Sequence, residues 1–332
     1  MLGAQPHEVV FTGSGTESDN LAVKGAARAA RTDGRGDGVV VTAFEHKAVL
    51  ASAARLERDG FRVTRAPILP SGLVDVDELT AAVDEQTVLV SVMLVNNEVG
   101  TVQPLAAVAA AVRHRAPRAV VHTDAVQAVP WLDVAAAAAP ADLVSVSAHK
   151  FGGPKGVGAL VRRGTTPIEP LIEGGGQEGG LRSGSSNVAG AVGMAAALRA
   201  LAAGRDEEVA RVAGLRDRLV AGLRARVPDC VLHGDPAHQV AGTVHVAFPG
   251  TEAEALLLLL DRVGVCAAAG SSCTSGATEP SHVLTAMGLS RDDALASIRL
   301  TLGAPSTVAD VDGALDAIPA AVEQLRSARR VA

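Results

Sequence analysis

At 332 residues, with a formal charge of −6 and 48 % apolar content, the chain is too long for one small core and long enough for two α/β domains. Acidic and basic residues are interspersed and no basic block exceeds Arg329-Arg330, which excludes the electrostatic footprint of a nucleic-acid binder. The longest apolar run, Ala253 to Leu260, is broken by Glu254, so no membrane-spanning segment is expected; Met1-Leu2-Gly3-Ala4-Gln5-Pro6 lacks the basic and apolar regions of a signal peptide, and the expectation is a cytoplasmic protein.

From the N-terminus onward, short β-branched runs alternate with amphipathic or alanine-rich stretches, the pattern of a parallel sheet covered by helices. The runs predict strands at Glu8 to Thr12, Gly38 to Thr42, Arg62 to Ala66, Val88 to Leu94, Ala119 to Thr123, Leu143 to Ser147 and Gly158 to Arg162. Helices are predicted between them at Glu17 to Arg31, His46 to Asp59, Val76 to Asp84 and Leu105 to Arg115. The glycine-rich piece Glu173 to Gly180 interrupts the first domain after its last strand and reads as a loop near a site. Two helical patterns, Val188 to Ala203 and Glu207 to Arg226, meet at Gly204 and predict a hinge. The remainder reads as a smaller α/β unit, with strands near Gly242 to Phe248 and Ile298 to Leu302 and helices at Glu252 to Val263, Ser281 to Met287 and Ala309 to Arg329. Residues 1–203 are thus expected to form a large domain and residues 204–332 a small C-terminal one.

Three segments carry chemistry. Thr12-Gly13-Ser14-Gly15-Thr16 follows a strand and opens a helix, where backbone N–H groups and the helix dipole can hold a phosphate. Read alone it fits an ordinary glycine turn with Thr16 as N-cap equally well, and its glycine spacing matches neither the P-loop nor the dinucleotide fingerprint. Lys150, in Ser147-Ala148-His149-Lys150, stands directly after a buried strand, at the carboxyl end where α/β folds bind ligands, and a desolvated amine there suits Schiff-base chemistry. The alternative for Lys150 is a surface lysine on a loop. Asp124, in His122-Thr123-Asp124-Ala125-Val126-Gln127, also falls at a strand's carboxyl end; it is either a helix N-cap or the carboxylate that pyridoxal 5'-phosphate (PLP) needs against its pyridine nitrogen. A phosphate loop, a lysine and an aspartate, all at strand ends, make a three-point cradle for PLP. Cys230, Cys266 and Cys273 are too few for a disulfide framework, and the last two match no usual zinc spacing, so no metal site is expected.

From about His7 to about Asp312 the chain carries TESDNLAVKGA, EHKAVL, NNEVGTVQP, HTDAVQA, SAHKFGGPKGVGAL, GGGQEGGLRSGS and GSSCTSGATEPSHVL in register. This series resembles the cysteine desulfurases of the class V aminotransferase type, the group of the nitrogen-fixation and housekeeping iron–sulfur cluster enzymes. The resemblance implies a PLP-dependent transferase fold of the aspartate aminotransferase kind, with a large mostly parallel sheet domain and a smaller α/β domain carrying a catalytic cysteine loop. It implies that Lys150 holds PLP covalently and that Asp124 meets the ring nitrogen. Gly15, Thr16, Ser147 and His149 would bind the phosphate, and Asn97 and Gln127 would sit by the ring's phenolic oxygen. His46, by sequence alone a solvated helix start, would stack on the ring and join the catalytic residues. Ser185 stands where the family has a threonine that reaches the neighbouring subunit's phosphate, which implies a homodimer. Arg299, with Asn97, would bind the substrate's α-carboxylate.

Cys273 matches the cysteine that takes sulfur from L-cysteine as a persulfide, leaving L-alanine, whereas Cys230 and Cys266 are expected to be structural. The long form of the cysteine loop resembles the first group of the family, which implies an iron–sulfur scaffold protein and sulfur acceptors for tRNA thiolation or cofactor synthesis as partners. Family members carry several tens of residues before the segment that matches Met1, so the chain is expected to be a truncation, a fragment or a misassigned start. The alternatives are a selenocysteine lyase or another PLP-dependent lyase of this fold, or a non-catalytic scaffold partner.

Overall fold

The computed structural model describes residues 1–270 and 279–331. These divide into two compact units: Met1–Ile68, Val74–Asn96 and Gln103–Arg205 in the first, and Leu69–Leu73, Asn97–Val102 and Asp206–Ala332 in the second.

In the first unit the chain runs through β1 (Val9–Thr12), α1 (Gly15–Asn20), α2 (Ala26–Thr32), β2 (Gly38–Thr42), α3 (Lys47–Arg58), β3 (Arg62–Ala66), α4 (Val76–Ala81), β4 (Thr87–Ser91), α5 (Leu105–Arg115), β5 (Val120–Asp124), α6 (Val134–Ala137), β6 (Leu143–Ser147) and β7 (Gly158–Arg162). The strands form a seven-stranded sheet in the order β1-β7-β6-β5-β4-β2-β3. Strands β3, β2, β4, β5 and β6 run parallel to one another; β7 is antiparallel to both β6 and β1. Every residue of β2, β4, β5 and β6 is buried, as expected for parallel strands with helices on both faces. Val23, Val41, Leu56, Leu89, Leu143 and Leu160 are fully buried in the cluster that joins the helices to the sheet.

The Glu17-to-Arg31 helix is correctly placed but not regular: α1 and α2 are joined by a π-helical turn, Leu21–Gly25. Gly25 explains where the turn sits. A Cβ there would meet the Ile168 side chain at 2.4 Å and the Glu169 carbonyl oxygen at 2.6 Å, so only glycine lets this segment pass.

The second unit contains β8 (Val231–His233), β9 (Thr243–Ala247), α8 (Ala253–Arg262), β10 (Ala268–Ala269), α9 (His282–Ala286), α10 (Arg291–Leu295), β11 (Ser297–Thr301) and α11 (Val308–Val331), with a four-stranded antiparallel sheet in the order β10-β11-β9-β8. Between β7 and β8 runs α7 (Val188–Arg226), with its residues to Arg205 in the first unit and the rest in the second. The break predicted at Gly204 does not occur. One interior glycine costs about 1 kcal/mol relative to alanine, too little to interrupt the hydrogen-bond ladder of a 39-residue helix. This helix also qualifies the expectation of no spanning segment: among the described residues it is the one helix long and apolar enough, by length and composition, to cross a membrane. Alanine, valine and leucine supply that hydropathy despite two arginines, rather than an unbroken run of large apolar residues.

Candidate active site

The parallel strands deliver their carboxyl ends to one edge of the first unit's sheet, where ligands bind in such folds. Asp124 is the last residue of β5 and Ser147 the last of β6; a short 3₁₀ turn, Ala148–Phe151, then presents His149 and Lys150, both exposed. Asp124 is instead 4 % exposed, and its Oδ1 accepts the Val126 N–H at 2.9 Å. Ser147 Oγ lies 2.9 Å from His149 Nδ1. Burial, then the neighbouring Lys150 and Lys155, hold the His149 imidazole below its ordinary pKa, which leaves a neutral ring available as a hydrogen-bond partner.

The turn after β1 closes against the same edge. Ser14, rather than Thr16, caps α1: its side chain accepts the Glu17 N–H at 3.1 Å, so Thr16 is left exposed. Gly15 is a contact point, because a Cβ there would meet Val126 Cγ2 at 2.8 Å and Ser147 Cβ at 3.1 Å. Glycine therefore lets the first turn of α1 come close to the β5 and β6 ends. Gln127 is half-buried in the turn after Asp124.

His46 is the N-cap of α3, its Nδ1 accepting the Ala48 N–H at 3.2 Å. One ligand atom each of Asp19, His46 and Asp124 lies within 4.8 Å of the others. Asp19, Glu45 and His122, which the sequence reading passed over, complete a buried polar group behind Asp124. His122 is fully buried between two hydroxyls, with Nδ1 2.9 Å from Ser91 Oγ and Nε2 3.0 Å from Ser145 Oγ, and burial lowers its pKa to about 3. Glu45 Oε1 accepts the Met93 N–H at 2.7 Å and the Thr42 hydroxyl at 3.0 Å; burial and the Asp124 charge raise the Glu45 pKa to about 8. Burial and Asp124 likewise push Asp19 well above the carboxylate range. The signal for His122 was a titratable residue inside a buried strand; Asp19 sits among the polar residues of α1 and Glu45 three residues past β2, so neither carried one.

A buried acid at one strand end, an amine after the next and an anion cradle beside them match the three functional groups of PLP: a ring nitrogen, an aldehyde and a phosphate. The residues fit that cofactor.

In the second unit Arg299 lies on β11, paired with Ala268 of β10 and His245 of β9, and its Nη1 donates to the Asn97 carbonyl at 2.9 Å. Arg299 and Asn97 are thus brought together. Cys273 lies outside the described residues. On either side of that segment Gly270 packs against Glu98 and Ser281, where a Cβ would meet Glu98 Oε2 at 2.8 Å and Ser281 Cβ at 3.0 Å. Cys230 is half-buried, and burial raises its pKa, which keeps it a thiol. Cys266, expected as a buried small residue, is exposed, because it sits in the turn between α8 and β10 rather than in either element. Ser185 is exposed in the segment before α7.

The aminotransferase class-V family pattern matches residues 1–313. The IscS-like cysteine desulfurase of Mycobacterium tuberculosis is 46 % identical over 333 residues, covering 98 % of this chain and 84 % of that one. A solved NifS-like protein superposes with a TM-score of 0.87 at 36 % identity, covering 100 % of this chain and 85 % of the other. A structure described as SspA in complex with cysteine gives a TM-score of 0.77 at 32 % identity over 91 % of this chain and 83 % of the other.

Proposed function

The chain belongs to the aminotransferase class-V family, among its cysteine desulfurases, and from that premise we propose how its residues divide the removal of sulfur from L-cysteine. The observation that carries the assignment is the pairing of a buried Asp124 at the end of β5 with an exposed Lys150 in the turn after β6. PLP, when bound, supplies a protonated ring that accepts the electron pair released at the substrate's Cα. Asp124 faces the ring nitrogen and keeps its proton in place. Lys150 would hold the cofactor covalently and would be the base that takes the proton from the substrate's Cα. Gly15, Thr16, Ser147 and His149 bind the phosphate, Gln127 and Asn97 stand by the phenolic oxygen, and His46 covers the ring. Arg299 binds the α-carboxylate through its planar fork of donors. The Cys273 thiolate attacks the substrate sulfur, the carbon–sulfur bond breaks, and the balance is L-cysteine plus one enzyme thiol giving L-alanine plus one enzyme persulfide.

The acceptors of that persulfide are an iron–sulfur scaffold protein and proteins of tRNA thiolation. The enzyme acts as a homodimer, with Ser185 reaching the partner's phosphate. Support comes from the surface near Ser185: Val188 and Val192, one turn apart on α7, expose 68 % and 60 % of their area, and few residues in the apolar part of that helix are buried. A second copy covers such a face. We place the enzyme in the cytoplasm, where the free thiols Cys230 and Cys266 stay reduced.

The test is borohydride reduction of the PLP-loaded protein followed by peptide mass spectrometry, alongside an assay of alanine and sulfide from L-cysteine with a reductant. The reduced cofactor on Lys150 and loss of both products in Lys150→Ala are expected. Cofactor fixed to another lysine refutes the assignment.

A further inference from the structure

Three carboxyls, those of Asp19, Glu45 and Asp124, are buried close enough to act on one another, and the nearby His122 ring, 3.7 Å from Asp19, is neutral. Three ionised carboxylates in one apolar pocket would repel strongly and lose their hydration, so the pocket must distribute its charge unequally. The contacts decide where it goes. Burial raises the Asp124 carboxyl as well, but there it is opposed by the neighbouring His46, by the Val126 N–H that Oδ1 accepts and by Lys150. Asp19, 1 % exposed, has an Oδ1 without a hydrogen bond, and the nearest cationic candidate, His122 Nε2, lies 3.7 Å away in its uncharged form.

We propose that Asp19 is a positioning residue of the cofactor site, a buried carboxyl held in its acid form so that Asp124 alone presents negative charge to the cofactor's ring nitrogen. This rests on the reading of Asp124 given above. The titratable and charged groups around Asp19 are Asp124 and His122 on β5, Glu45 and His46 between β2 and α3, and Lys150 after β6; Ser145 of β6 supplies a hydroxyl. Burial and the Asp124 charge both favour the acid form of Asp19, and only the Ser145 hydroxyl is a substantial opposing influence. An amide in its place has the same shape and no charge to gain. A methyl group removes the polar contact with Ser145 and opens the pocket behind Asp124 to water.

The experiment compares full-length wild type, Asp19→Asn, Asp19→Ala and Asp124→Asn, reading PLP affinity at pH 7 by absorbance titration of the cofactor-free protein and the urea unfolding midpoint from pH 5 to 8.5. Asp19→Ala is expected to weaken PLP binding at least tenfold and Asp19→Asn to restore it to within threefold of wild type. The wild-type midpoint should fall as pH rises, and fall less in Asp19→Asn, because one buried acid no longer resists ionisation. A folded Asp19→Asn protein that binds PLP more than tenfold more weakly than wild type would overturn the proposal, since the charge would then be required. So would an unfolding profile for Asp19→Asn parallel to wild type across the whole range. Asp124→Asn separates this from the parent reading: normal turnover in that variant refutes the assignment of Asp124 itself, whereas lost turnover there together with a failed Asp19→Asn rescue refutes only the role of Asp19.

Discussion

Replacing Glu45 by glutamine should stabilise the cofactor-free protein, and increasingly so as the pH rises. Burial first and the Asp124 charge second carry the Glu45 pKa from 4.5 to about 8. In the unfolded chain the carboxyl loses its proton near its ordinary pKa, while in the fold it keeps the proton until about pH 8, so between these values the native state binds one more proton than the unfolded state. Stability must then fall as pH rises across that window and level off above it. At about 1.4 kcal/mol per pH unit, the fall attributable to this one group is roughly 5 kcal/mol. Glutamine keeps an oxygen for the Met93 N–H and the Thr42 hydroxyl, offers an N–H where the acid form has its O–H, and does not titrate. Urea unfolding of both proteins at intervals from pH 4.5 to 9 cancels the groups they share. The advantage of Glu45→Gln should grow from near zero at the acid end to several kcal/mol at pH 8, and should shrink in an Asp124→Asn background, where the second cause is gone. A difference that stays constant with pH would show that Glu45 ionises freely and would refute the reasoning.

Arg299→Lys should raise the KM for L-cysteine at least tenfold while PLP loading stays at the wild-type level, because a lysine cannot make the two parallel hydrogen bonds to a carboxylate; steady-state kinetics with a cofactor titration checks both halves. Cys273→Ser should load PLP normally yet form no persulfide, since an un-ionised hydroxyl is a poor nucleophile toward sulfur and stores none, whereas Cys266→Ser should keep most activity; radiolabelled sulfur transfer from L-cysteine distinguishes them, and the opposite pattern would move the sulfur-accepting role to Cys266.

The strand ends were legible because β2, β4, β5 and β6 are short β-branched runs closed by a polar residue. Gly38 to Thr42, Arg62 to Ala66, Leu143 to Ser147 and Gly158 to Arg162 are strands with the bounds read from the sequence. Lys150 and Asp124 stood out for the same reason, a charge where a buried strand stops. What composition and periodicity hid falls into two kinds. Very short elements escaped: β10 has two residues and β8 three, too few for any period to register. So did breaks that never formed, as at Gly204, where a local signal worth about 1 kcal/mol lost to a helix many turns long.

The buried acids escaped for a different reason, and it bears on how the site works. Asp19 and Glu45 sit in motifs whose resemblance drew attention to neighbours: the Gly15-Thr16 turn before one, His46 directly after the other. A sequence pattern ranks residues by type and spacing, so an aspartate on a helix reads as solvated. Only the packing of α1 against the sheet, with Gly15 pressed on Ser147 and Val126, turns that position inward. The same close approach of the helix to the β5 and β6 ends therefore buries Asp19. The proposed anion cradle and the proposed placement of charge at the ring nitrogen both depend on this one helix position, so a side chain at Gly15 should disturb both together.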